Sequence, residues 1–367
     1  MQWIDQIAQV THSYDIEILC LTHPDRDHYS GMDILVNWIY ERGGVIHNLI
    51  WFPGPSIREY HAKVGSRLKQ LSRAATQDDV NANHALYVQA MNEEAVAVFD
   101  ALDRIIKDNC KFNRRRKRKG EPHRVRLLSR ATGVGLFHAC DDVKVYHLGP
   151  SQTIVESVSE TLWREVANSM SPIAAEVAEC STNAISCILL LSVNGFNLLL
   201  TGDTTRRAWE LALDEYEMRK QSMSLPDIAC DIVKAPHHGS KHSSNRSTWQ
   251  RALKKNGIAV ISAGRSTYWH PNHETLEDIL SVSHGGNLYC TNHCPYTTRS
   301  LTRKQVTIVE DDSRGVAGAP PLRVSAPARS SLTGQPYHGR CSFAILASGG
   351  LNLDIELEPA MRCEYHK

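Results

Sequence analysis

The sequence predicts a layered α/β protein, and two observations support this fold class. Short apolar runs typical of buried strands alternate with segments whose apolar residues recur every three or four positions, as in helices. Several of the apolar runs end in clusters of His and Asp. Sheets built from alternating strands and helices place their chemistry beyond the strand ends, so these clusters contain the candidate functional residues.

The predicted strands are apolar runs bounded by polar or turn residues, at 16–21, 45–52, 143–148, 185–193, 196–200, 228–234 and 259–262. The predicted helices have apolar residues at helical spacing, at 2–12, 32–41, 93–106, 205–220 and between the last two strands. We expect one domain over residues 1–300, with a charged helical and basic insertion at about 56–130. Over residues 301–367 we expect a linker and a C-terminal β-hairpin tail with its turn at Gly349–Gly350.

Composition limits the function. The 367 residues carry a formal net charge of +1 and 42% hydrophobic residues, which argues against a generic polyanion binder and allows a sizeable core. Ten cysteines at irregular spacings do not suit a disulfide scaffold, and the first residues lack the pattern of a secretory leader. No window approaches about 18 uninterrupted apolar residues. We therefore expect a reduced cytoplasmic protein without a membrane span; its oligomeric state is not indicated.

The first strand end carries the strongest signal, a cluster of His23, Asp25, Asp27 and His28 directly after the strand at 16–21. Divalent metals are held by imidazole and carboxylate groups that converge on the ion at about 2.0–2.2 Å. Four such groups within six residues can serve two adjacent ions. The alternative is a polar loop that contains these residue types by chance.

Three later strand ends add further candidates. Asp203 follows the run LLLTG, where it could bridge two metals or cap the helix that begins near Thr205. His237 and His238 follow the run IVKAP, and either suits a metal ligand or a general acid that protonates a leaving group. His270 lies in YWHP, beyond the last predicted strand and its ISAGR end.

The order THPDRDH, LLLTGD, APHHGS and ISAGR…YWHP resembles the metallo-β-lactamase superfamily. Within it, the chain is most similar to the hydrolase domain of the competence protein ComEC and its stand-alone relatives. The resemblance runs from about residue 15 to residue 280, interrupted by the insertion at 56–130. It implies a four-layer αββα sandwich and a hydrolase that activates water on two divalent metal ions, Zn²⁺ or Mn²⁺.

The resemblance also implies roles for single residues. His23 and Asp25 would hold one metal, Asp27 and His28 the other, and Asp203 would bridge them, with Asp25 standing where many relatives have His. Asp27 would also orient the nucleophile. The remaining ligand and the proton donor would come from His237 and His270, with His238 as a supporting group or a phosphate contact; the sequence leaves these three open.

Two departures from the family pattern matter. The segment Ser181–Ser186 replaces a strand in which other relatives place a further His ligand, and this favours Mn²⁺ over tightly bound Zn²⁺. Family members also begin with a β-hairpin and an Asp-Gly turn ahead of the helix predicted at 2–12. We therefore expect a fold that lacks these first N-terminal strands, which also makes a non-catalytic binding remnant an alternative function.

A basic run at 111–126, with nine Lys or Arg in sixteen positions, points to DNA as a partner. Arg115 and Arg116 in this run, together with Arg265 and Lys241, are the candidate phosphate contacts, so the sequence favours a phosphodiesterase acting on DNA. The alternatives are a solvated loop without a ligand and, for the activity, a hydrolase of a small ester, lactone or thioester.

The segment Cys290–Cys294, which contains His293 and lies near His284, could form half of a structural zinc site. Its spacing matches no common zinc finger, and buried thiols with a surface His are the alternative.

Overall fold

The structure is a computed structural model, and it describes residues 5, 8–9, 12–23, 25–51, 97–98, 100–112, 127–128, 133–140, 143–158, 182–262, 270–283, 287–290, 322–324, 344–345, 351–352 and 361–365. The chain divides into two compact units, the first comprising residues 1–131 and 155–185 and the second residues 132–154 and 186–367. Helices and strands occur in both, so the predicted α/β class is confirmed. None of the described helices is long and apolar enough to cross a membrane.

The first unit is built on a parallel three-stranded sheet in the order β1-β2-β3. Its strands are β1 (Ile16–Leu21), β2 (Ile46–Trp51) and β3 (Leu127–Leu128). Helix α1 (Met32–Glu41) joins β1 to β2 and buries Val36 and Ile39, which are three residues apart and share one helix face. A one-turn helix, Arg26–Tyr29, stands between β1 and α1 and carries residues of the first cluster. Residues 100–112 form a further helix.

The second unit contains a nine-stranded mixed sheet. Its strands are β4 (Gly135–Cys140), β5 (Val143–Gly149), β6 (Ile188–Val193), β7 (Phe196–Leu200), β8 (Cys230–Lys234), β9 (Leu253–Ile261), β10 (Asn287–Cys290), β11 (Leu322–Val324) and β14 (Met361–Tyr365). The order is β11-β14-β10-β9-β8-β7-β6-β5-β4, with β7 to β10 parallel and the remaining pairs antiparallel. Two short strands, β12 (Ala344–Ile345) and β13 (Leu351–Asn352), pair antiparallel with each other.

Three helices connect the parallel strands of the second unit. They are α2 (Arg206–Arg219), α3 (Arg246–Ala252) and α4 (His273–Ser283). Trp209 of α2 and Trp249 of α3 are fully buried and meet edge to face, with ring centroids 5.3 Å apart and an interplanar angle of 86°. This geometry is the favourable one for aromatic pairs. The pair belongs to the main core cluster, which holds the helices against the sheet and so fixes the ends of β7, β8 and β9.

The structure confirms most predicted elements that fall in the described residues. Strands β6 and β8 begin slightly later than predicted, at Ile188 and Cys230, and two other strands differ more. Strand β4 was not predicted, because GLFHAC mixes polar and apolar residues and begins with a glycine. Strand β9 begins at Leu253 rather than Ala259, because the exposed Lys255 and Asn256 interrupt its apolar pattern. Of the helix predicted at 2–12, the described residues 5, 8 and 9 are helical.

His147 of β5 is a buried histidine in the second unit, with only 3% of its surface exposed. Its Nδ1 donates a hydrogen bond of 2.7 Å to the carbonyl oxygen of Gly133, which can only accept. Burial lowers the pKa of His147 to about 4 from its ordinary 6.5, and the bond to Gly133 opposes this shift. The folded protein therefore holds this imidazole neutral at neutral pH.

We predict that acidification destabilises the second unit through His147. The unfolded chain takes up the proton near pH 6.5, whereas the folded chain does so only near pH 4. The contribution of His147 to the free energy of unfolding is thus complete above pH 6.5. It is lost as the pH falls to 4, which lowers that free energy by about 3 kcal/mol. Denaturant unfolding at a series of pH values should show this slope, and His147→Asn, which keeps a donor for Gly133, should flatten it.

His12→Asn is the matched control, because His12 is exposed in the folded chain. An unchanged pH slope in His147→Asn, or an equal change in His12→Asn, would contradict the assignment of this slope to His147.

Candidate metal centre

In the first unit, the end of β1 brings two histidines together. The one-turn helix Arg26–Tyr29 starts directly beyond Asp25, whose carbonyl oxygen accepts bonds from the backbone N–H groups of His28 and Tyr29 at 3.0 and 3.1 Å. The turn returns His28 to His23, so that their ring centroids lie 4.0 Å apart at 53°. The Thr22 hydroxyl oxygen lies 3.1 Å from His23 Nδ1 and 3.0 Å from His28 Nδ1.

His23 presents a buried nitrogen to a carboxylate. His23 is 1% exposed, and its Nε2 lies 3.2 Å from Asp25 Oδ2 without forming a hydrogen bond to any described residue. The other carboxylate oxygen, Asp25 Oδ1, accepts a hydrogen bond of 2.8 Å from the Thr182 hydroxyl. When the ring hydrogen is on Nδ1, Nε2 and the carboxylate oxygen converge as two metal ligands, so this donor set fits a metal ion.

In the second unit, the turn after β7 presents a buried carboxylate. Asp203 is 2% exposed and follows Gly202, whose φ of 56° lies in the left-handed region. Its Oδ2 lies 3.3 Å from His238 Nε2 and its Oδ1 lies 3.6 Å from Lys234 Nζ. The alternative role of Asp203 as a helix cap is wrong, because the Thr205 side chain accepts the bond from the backbone N–H of Ala208 at the start of α2.

Lys234, the last residue of β8, holds a fixed positive charge beside Asp203. Its Nζ donates to the carbonyl oxygens of Gly202 at 2.9 Å and of Ala235 at 3.2 Å. The Asp203 carboxylate, 3.6 Å away, is an ion-pair partner of this ammonium group rather than a hydrogen-bond acceptor. Sequence reasoning missed this role, although a lysine that ends an apolar strand was a usable signal.

His237 and His238 lie in a strained turn. Their φ values of 44° and 53° fall in the left-handed region, which costs about 1–3 kcal/mol for a residue other than glycine. The next residue, Gly239, packs so closely that an added Cβ would lie 2.7 Å from Pro271 Cβ. His238 Nδ1 donates a hydrogen bond of 2.6 Å to the Ser262 carbonyl oxygen, so its Nε2 is the nitrogen that faces Asp203.

His270 lies beside His237, with ring centroids 5.4 Å apart. Its Nδ1 is 3.2 Å from Asn272 Oδ1. Burial, followed by the neighbouring His237 and His238, lowers the pKa of His270 to about 4. The ring is therefore neutral at neutral pH and can offer a nitrogen lone pair.

Each unit thus brings some of the predicted residues together. In the first unit these are His23, Asp25 and His28, and in the second they are Asp203, His237, His238 and His270. By their chemistry, the imidazoles of His23 and His28 in the first unit suit a metal ion, and so does the buried carboxylate of Asp203 in the second. Thr22, Thr182 and Asn272 are further contacts that the sequence did not indicate.

Several of the predicted site residues lie wholly or partly outside the part of the chain that the structure describes. The backbone of Asp27 belongs to the one-turn helix, but its side chain lies outside the described residues, as does that of Cys290 in β10. The other predicted residues outside it are Arg115, Arg116, most of the basic run 111–126, Arg265, His284, His293 and Cys294. Lys241 is exposed, and its backbone N–H donates to Asn272 Oδ1 at 3.0 Å.

Comparison with known proteins gives a partial relationship. No protein-family profile matches the chain. Over 111 residues, which are 30% of this chain, it is 30% identical to ComE operon protein 3 of Bacillus subtilis (strain 168). The chain spans 13% of the length of that relative. The similarity therefore indicates a relationship to a competence protein over part of this chain.

Proposed function

We propose that this chain is a metal-dependent hydrolase of the metallo-β-lactamase type, with a four-layer αββα fold, and that it cleaves phosphodiester bonds in DNA. The observation that carries the proposal is the buried His23 Nε2, which lies 3.2 Å from the Asp25 carboxylate and makes no hydrogen bond to the described residues. A buried polar atom without a partner is costly, and a metal ion would stabilise both groups. The partial similarity to ComE operon protein 3 supports the same assignment.

The proposed metal ligands are six side chains that follow strand ends. They are His23, Asp25, Asp27, His28, Asp203 and His237, and they would hold two divalent ions, Zn²⁺ or Mn²⁺. A neutral His270 suits a ligand better than a proton donor, because its pKa of about 4 leaves no proton to release near neutral pH.

The side chains of the site have separate proposed tasks. Divalent ions bound there would supply a nucleophilic water near neutral pH and neutralise charge on phosphoryl oxygens. Asp27 would orient that water. His238, whose Nδ1 is fixed on Ser262, would exchange a proton through Nε2 beside Asp203. Lys234 would keep the Asp203 carboxylate in place.

DNA as the substrate rests on charge and on the relative. The basic run 111–126 supplies nine positive charges, which match a phosphate backbone. The partial similarity to ComE operon protein 3 agrees with this substrate. Lys241, exposed on the loop after His238, and Arg265 are further proposed phosphate contacts.

We predict that Asp203→Asn weakens metal binding at least tenfold and abolishes DNA cleavage, because it removes a buried negative charge from the ligand set. Titration calorimetry with Mn²⁺ and Zn²⁺ measures the affinity, and labelled single- and double-stranded DNA measures cleavage. The control is Asp214→Asn on α2, which removes an exposed carboxylate that pairs with Arg251 of α3. Equal metal affinity in Asp203→Asn and the control protein would refute the metal centre.

A second prediction tests the substrate. The double variant Arg115→Gln/Arg116→Gln should weaken DNA binding and reduce the slope of log affinity against log salt by up to about 2, because two phosphate contacts are lost. The control is Lys220→Gln/Lys255→Gln, which also removes two positive charges. Lys220 follows α2 and Lys255 lies near the start of β9, whereas the candidate site residues follow strand ends. This control should leave the salt slope unchanged.

Cleavage and binding are measured over a range of salt concentrations, with a small ester as a second substrate. If the protein hydrolyses the ester and cuts no DNA, the phosphodiesterase assignment fails and the alternative hydrolase stands.

A further inference from the structure

Thr22 is the residue in the first unit that contacts both histidines of the β1 end. Its hydroxyl oxygen lies 3.1 Å from Nδ1 of His23 and 3.0 Å from Nδ1 of His28. Both histidines therefore turn Nδ1 towards the Thr22 hydroxyl oxygen. The second ring nitrogen of each histidine is Nε2.

The hydrogen bonds that the Thr22 hydroxyl can accept and donate determine which tautomers of His23 and His28 are possible. A hydroxyl oxygen accepts two hydrogen bonds and donates one. If both Nδ1 atoms carry hydrogen, Thr22 accepts both bonds, and both Nε2 atoms carry lone pairs. If instead Thr22 donates to His23 Nδ1, the hydrogen moves to His23 Nε2, which faces Asp25 Oδ2 at 3.2 Å and then has no lone pair for a cation.

We propose that Thr22 is a positioning residue that accepts the Nδ1–H of both His23 and His28 and so presents both Nε2 atoms to a divalent cation. The inference rests on the proposed function in one respect, namely that the cation is the metal of the hydrolase. The hydrogen-bond arrangement itself is a property of the metal-free chain.

Threonine suits this task for two reasons. Its branched Cβ restricts χ1, so the oxygen keeps a defined direction at the end of β1. Groups that hydrogen-bond the outer nitrogen of a metal-binding histidine typically contribute 10–100-fold to metal affinity. Because one hydroxyl serves two rings, its removal releases both.

The test compares Thr22→Val, which removes the hydroxyl at nearly constant shape, with Thr22→Ser, which keeps it. Nitrogen-15 NMR of the histidine rings in metal-free protein at pH 8, assigned with His23→Gln and His28→Gln, should show Nδ1–H in both rings of the wild type and of Thr22→Ser. In Thr22→Val at least one ring should change to Nε2–H. Zinc affinity by calorimetry should fall 10–100-fold in Thr22→Val and stay within about threefold in Thr22→Ser.

The control for loss of a threonine hydroxyl is Thr275→Val on α4, whose Oγ1 is buried and makes no hydrogen bond to the described residues. Nε2–H in either ring of the wild type overturns the proposal without any variant, as does equal zinc affinity in Thr22→Val and wild type. If the rings show Nδ1–H and Thr22→Val weakens zinc binding, but the metal-loaded wild type cleaves neither DNA nor the small ester, the positioning role stands and the proposed function fails.

Discussion

The candidate site depends on the close approach of a ring nitrogen, His23 Nε2, and a carboxylate oxygen, Asp25 Oδ2, at the end of β1. They lie 3.2 Å apart, and the nitrogen is buried. A buried polar atom without a hydrogen bond costs about 1–3 kcal/mol. The surrounding residues reduce this cost only in part, since Thr182 satisfies the other oxygen of Asp25 and Thr22 satisfies the other nitrogen of His23. A cation has the charge and the coordination to bind the two remaining atoms, His23 Nε2 and Asp25 Oδ2.

The second unit also contains a buried polar group, the Asp203 carboxylate, and stabilises it with charged and polar neighbours. A buried carboxylate is stable only when it is paired, and Asp203 has a lysine ammonium and an imidazole within 3.6 Å. Both partners are themselves fixed, Lys234 by two backbone carbonyl oxygens and His238 by Ser262. The rigid core around Trp209 and Trp249 supports this geometry, because it sets the direction in which each strand ends.

The sequence was informative where the chemistry is local. His23, Asp25 and His28 lie within six residues, so their spacing alone predicted a shared place at a strand end. Thr182 and Lys234 act through contacts with residues far away in the chain or with backbone carbonyls, and no spacing rule finds such contacts. The same reasoning applies to Asp203, whose role as a cap could be dismissed only when Thr205 was seen to cap α2.

The turn at His237 and His238 bears on whether the chain is a catalyst or a binding remnant. Two successive histidines with positive φ cost about 1–3 kcal/mol each, and glycine or asparagine would adopt this backbone at a lower cost. A fold that needed only a tight turn here would be more stable with those residues. The turn directs one ring to Asp203 and the other to His270. Strain that places titratable rings at a buried carboxylate is typical of a functional site, and it supports a catalyst over a remnant.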